Sequence, residues 1–99
     1  MLNNPNDSLA NHLSTSIKLS WQTLITISQA VEDLAANSQW REMTQIVIDR
    51  RKFMDQHFAQ HPIGPSTENF YRHKLNWLFE TENRIEQLAK TAREISFRH

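Results

Sequence analysis

The chain of 99 residues carries 11 Lys plus Arg against 11 Asp plus Glu, a single Gly, 3 Pro and no Cys. One modest core fits that length, zero net charge argues against non-specific nucleic-acid binding, and the lack of Cys removes disulfides, thiolate chemistry and Cys-ligated metal sites. A lone glycine excludes Gly-rich phosphate loops and argues against a turn-rich β protein.

Met1 to Ser8, MLNNPNDS, has neither the basic nor the apolar region of a signal peptide. It reads as a disordered lead-in over residues 1–7, ahead of a single helical domain over 8–99. No later run is apolar for the ~20 residues that span a bilayer. A cytoplasmic protein without membrane insertion is expected.

Three segments follow, each free of internal Pro and Gly. The first, about 8–36, places Leu9, Leu13, Ile17, Trp21, Leu24, Ile27, Val31 and Leu34 at steps of three and four, the spacing of one helix face. Ser20 and Ser28 fall inside that stripe, where small residues let a neighbouring helix approach closely. Asp7 or Ser8 is the expected N-cap, with Ser14-Thr15-Ser16 as a rival start. The second, about 39–59, opens at an Asn37 or Ser38 cap. Its stripe is Trp40, Met43, Ile46, Val47, Phe53, Met54 and Phe58, with Arg50 and His57 inside it. The strongest break is His61-Pro62-Ile63-Gly64-Pro65-Ser66. The third segment, about 67–97, has a Ser66 or Thr67 cap and Glu68 in its first turn, where a carboxylate favours the helix dipole. Its apolar arc, from Phe70 and Tyr71 to Ile95, is roughly 160° wide, which suits packing against two neighbours.

The fold expected is all-α: an elongated up-down-up three-helix bundle. In that register residue 50 is level with residue 25 and with about residue 82. A structural pair between Arg50 and Glu82 is therefore expected, setting register more than stability.

Catalytic and metal chemistry is poorly supported. His57 and His61 are spaced i, i+4, but Pro62 pushes His61 out of helical conformation, and no third ligand stands nearby. Glu80, Glu82 and Glu86 read as a solvated face compensated by Arg84 and Lys90. Arg50-Arg51-Lys52 points in different directions around its helix. No enzyme, metal site, cofactor or nucleic-acid partner is expected.

The apolar residues outside the stripes are more informative. Leu19 and Ile48 project away, Ile25 lies on an edge, and Phe79 and Phe97 lie just beyond the helix 3 arc. With 3 Trp and 5 Phe, a thin bundle has more large apolar surface than it can bury. Clustered exposed aromatics mark partner surfaces. The expected patch is Tyr71, Leu75, Phe79 and Glu82 on one edge of helix 3, binding a partner helix in a groove.

Two stretches carry a family resemblance: Ile27 to Phe53, ISQAVEDLAANSQWREMTQIVIDRRKF, and Leu75 to Ile95, LNWLFETENRIEQLAKTAREI. The first has a helix ending in Leu-Ala, a short polar turn, Trp40 opening the next helix and Arg50 or Arg51 within it. The second has an apolar pair before an acidic and amide run and a long amphipathic tail. Over about two-thirds of its length the chain resembles the FliT-type flagellar export chaperones. The resemblance implies a small cytoplasmic helical chaperone that binds the filament-cap subunit and delivers it to the type III export gate and its ATPase. Some family members also restrain a transcription regulator. Helices 2 and 3 would supply the cargo groove. Family members can carry a further C-terminal helix over that face; this sequence reaches His99 without one, so autoinhibition of that kind is not expected. The alternative is a non-flagellar helical interaction or regulatory subunit that hides its surplus apolar surface in a homodimer.

Overall fold

The computed structural model describes the backbone of residues 5–98 and the side chains of residues 16–96. The expected lead-in over residues 1–7 lies outside the described residues up to residue 4. Four helices follow in order, α1 (Pro5–Ala36), α2 (Trp40–Gln60), α3 (Glu68–Tyr71) and α4 (Lys74–Arg98). The bundle is elongated, 66 × 22 × 19 Å, with a radius of gyration of 17.1 Å against about 13 Å for a compact chain of this size.

The expectation of three helices is thus corrected to four. The segment expected as one helix over 67–97 is two, separated by a turn at Arg72 and His73. Tyr71 is the cause to which the geometry points. Its hydroxyl donates to the His61 carbonyl at 2.7 Å, tethering α3 to the loop before it, while α4 follows α1. Arg72 itself keeps right-handed helical angles, φ −44° and ψ −46°. The apolar period therefore runs on through the break, which no Pro or Gly marks.

Register fixes the directions. Ser16, Ser20 and Ser28 on α1 approach His61, His57 and Arg50 in turn, so α1 and α2 are antiparallel. Trp21 and Glu32 approach Trp77 and Arg84, so α1 and α4 are parallel. Two apolar clusters lie along the axis. Toward the loop end are Ile17, Trp21, Leu24, Tyr71 and Leu78, with Phe53, Phe58, Phe70, Leu75 and Trp77 packed against them. Beyond them are Val31, Ala35, Met43, Ile85 and Ala92, flanked by Trp40, Ile46 and Val47.

The connections use devices other than the expected caps. At the α1–α2 turn the Gln39 amide donates to the Leu34 carbonyl and the Ser38 amide to the Ala35 carbonyl, at 2.9 and 3.0 Å. This is a Schellman motif, and it puts Ser38 at φ 57°. The residue before α2 is Gln39, which makes no side-chain cap; neither Asn37 nor Ser38 stands at that position. Thr67 does precede α3 but turns its hydroxyl back into the loop, donating to the Pro62 carbonyl at 2.7 Å and accepting the Gly64 amide at 3.0 Å.

Candidate functional site

Met43, Arg50 and His57 form one line along α2 at intervals of seven, each almost wholly buried. Two of the three are polar, so the core contains two polar layers. In the first, Arg50 Nε donates to Ser28 Oγ at 2.7 Å, and Ser28 donates in turn to the Leu24 carbonyl at 2.8 Å. Arg50 Nη1 lies 2.5 Å from Glu82 Oε1. Arg50 Nη2 meets no second acceptor among the described residues. The pair is thus a single-pronged ion pair, not a bidentate fork.

The second layer joins α1, α2 and α3. Tyr71 spends its one proton on the His61 carbonyl, so its oxygen accepts from His57 Nε2–H at 2.8 Å. His57 Nδ1 is then the acceptor and takes the Ser20 hydroxyl proton at 2.7 Å. The neutral ring is satisfied at both nitrogens. Burial, and next the neighbouring His61, lower the His57 pKa from 6.5 to about 4. Burial also raises the Tyr71 pKa to about 12. His61 lies 3.5 Å from Ser16 Oγ, at the limit of a hydrogen bond. Both imidazoles are thus held within protein contacts. Among the described residues no group of three or more metal-ligating side chains is gathered.

The residues expected on one edge of the third helix separate. Tyr71 is 1% exposed and belongs to the core, which corrects its placement on a surface patch. Leu75 is half-buried against the aromatic cluster. Glu82 is engaged by Arg50. Phe79, 60% exposed, is the member left facing solvent. Leu19 and Ile48 are exposed, in the direction their spacing gives; Phe97 lies outside the described side chains.

The larger apolar feature is elsewhere. An open groove of about 530 Å³ runs between α1 and α4 at the loop end, lined by Lys18, Trp21, Gln22, Ile25, Phe70, His73, Lys74 and Trp77. Trp21 anchors its floor, with ring centroids 6.1 Å from Phe70 and 5.7 Å from Trp77, both edge-on. Lys74 Nζ sits 4.2 Å over the Phe70 ring, a cation–π contact. Sequence reading had one clue to this groove, Ile25 on the edge of its stripe. Phe70 and Trp77 lie on the same apolar arc as the core residues Tyr71 and Leu78, so helical spacing alone does not set them apart.

The side-chain polar groups around its aromatic floor are two ammonium groups, an amide, an imidazole and the indole N–H groups of Trp21 and Trp77. No described helix is long and apolar enough to cross a membrane. Comparisons of the chain with family models, curated proteins and solved structures found no match.

Proposed function

We propose that this chain is a non-catalytic helical chaperone or adaptor that binds an amphipathic helix of a protein client in the α1–α4 groove. The observation that carries this reading is the open groove itself, with Phe70, Trp77 and Ile25 left half-buried around the edge of Trp21. A bundle that can turn aromatic side chains inward gains from doing so, and a cleft of this size with apolar walls is where a partner's apolar face gains the same burial.

The sequence resemblance supplies the client class: a flagellar type III export client, such as the filament-cap protein, met in the cytoplasm. The groove offers a different face from the helix 2 and helix 3 surface that the resemblance implies. Neither a cofactor nor a nucleic acid belongs to this reading.

Mixing the purified chain with purified filament-cap protein tests it, by size-exclusion chromatography with light scattering. A stable complex is expected, and it should be lost when a tryptophan replaces Gln22 and fills the groove. Absence of any complex with the cap protein or an export-gate component would refute the flagellar client. A chain that runs alone as a dimer, with Gln22→Trp dissociating it, would favour the self-associating regulatory subunit instead.

A further inference from the structure

The groove is polarised. Its walls carry Lys18 from α1 and Lys74 from α4, with His73 beside them, and among the described residues no carboxylate lines it. This stands out in a chain whose net charge is zero. The Glu32 carboxylate, farther along the cleft, is taken by Arg84 at 2.7 Å. Lys74 is already positioned by the Phe70 ring, so its ammonium does not have to be ordered by an incoming group. From Lys18 to Ile25 the α1 wall spans about two helical turns, and the facing wall is made of the end of α3, the Arg72–His73 turn and the first turn of α4.

Resting on the groove reading above, we infer that the occupant is an acidic amphipathic helix. One bulky apolar residue covers the edge of Trp21 and Trp77, and flanking Glu or Asp side chains meet Lys18 and Lys74 at the loop end. The apolar contact supplies most of the affinity. The carboxylates choose the partner and its direction, since paired charges across an interface give specificity and a like-charged partner is repelled.

Three designed helical peptides test this. They share one Leu/Trp face and differ only in whether the flanking residues are Glu, Gln or Lys, and binding is read by fluorescence anisotropy. The Glu peptide should bind about tenfold tighter than the Gln peptide, the Lys peptide weaker than both, with the spread shrinking as salt rises. The double variant Lys18→Glu/Lys74→Glu should reverse the order. Lys18 is solvent-facing, so the single Lys18→Glu change must shift the order the same way without a loss of helicity. Equal binding of all three peptides, or an order that the variants leave unchanged, overturns the charge inference and leaves the groove reading standing. Failure of all three to bind overturns both.

Discussion

Arg50 on α2 and Glu82 on α4 stand 2.5 Å apart, with Ser28 of α1 on the guanidinium's other side, in a layer between the two apolar clusters. By register it falls between Leu24 and Val31 on α1 and between Leu78 and Ile85 on α4. The layer ties the three long helices at one height. A slip of one turn would leave a buried guanidinium without its carboxylate, the kind of penalty that specifies register. Glu82→Ala should therefore destabilise the bundle by roughly 1–3 kcal/mol, below the range for fully buried pairs because the Glu82 side chain is 32% exposed. The double change Arg50→Met/Glu82→Gln should recover most of that loss. Urea denaturation of the single and double variants measures both; a double variant as weak as Glu82→Ala would show that the layer contributes more than paired charge.

The Ser20–His57–Tyr71 layer makes stability depend on pH. The folded His57 pKa of about 4 lies below its ordinary 6.5, so the unfolded chain takes up the proton first. Stability is full above pH 6.5 and falls as pH drops toward 4, by on the order of 3 kcal/mol if that shift alone acts. Tyr71, pushed up from 10.0 to about 12, acts in the opposite direction: its share is present below pH 10 and is lost as pH rises toward 12. The urea midpoint should plateau between these limits. His57→Phe should flatten the acid side of the profile; an unchanged slope between pH 4 and 6.5 would rule out His57 as its source.

The chain's glycine and its left-handed turn residue are in different places. Ser38 holds φ 57° in the Schellman turn, a conformation that strains a side chain, so Ser38→Gly should stabilise by about 1 kcal/mol. Gly64 does not have positive φ, and a Cβ there meets nothing within 4 Å. Gly64→Ala should therefore add ~0.4–1 kcal/mol by restricting the unfolded chain. Thermal melts of both variants provide the check.

Phe79 separates two candidate partner faces. It is exposed and outside the groove lining, so Phe79→Glu should change stability by less than about 0.5 kcal/mol and leave binding of the acidic peptide intact. Loss of binding with helicity retained would move the partner face to the Leu75–Phe79 edge of α4. Leu75 cannot serve this test alone, because it packs against the aromatic cluster.

Much of the long-range arrangement was legible in the residues. The stripe from Ile17 to Leu34 and the Met43–Arg50–His57 line need only helical spacing; antiparallel packing about residue 37 levels residue 50 with residue 25, and a third segment running parallel to the first brings residue 82 to the same height. The break after Tyr71 was not legible: no Pro or Gly marks it, Arg72 keeps helical angles, and the Tyr71 hydroxyl bond to the His61 carbonyl that accompanies it is a tertiary contact. Ser20 and Ser28 were legible as small residues but not as the partners of His57 and Arg50, since a helix wheel gives faces and not hydrogen bonds. The groove was hidden for a related reason: Phe70 and Trp77 sit on the same arc as the core, and only the separation of α1 and α4 leaves them uncovered.

The tryptophans offer a direct test of the groove itself. Trp21 and Trp77 line it, while Trp40 packs in the opposite cluster. In an ¹⁵N-labelled sample titrated with the acidic helical peptide, the indole N–H signals of Trp21 and Trp77 should shift together while that of Trp40 stays in place. Movement of Trp40 alone, or shifts of all three to the same extent, would contradict binding in the α1–α4 groove.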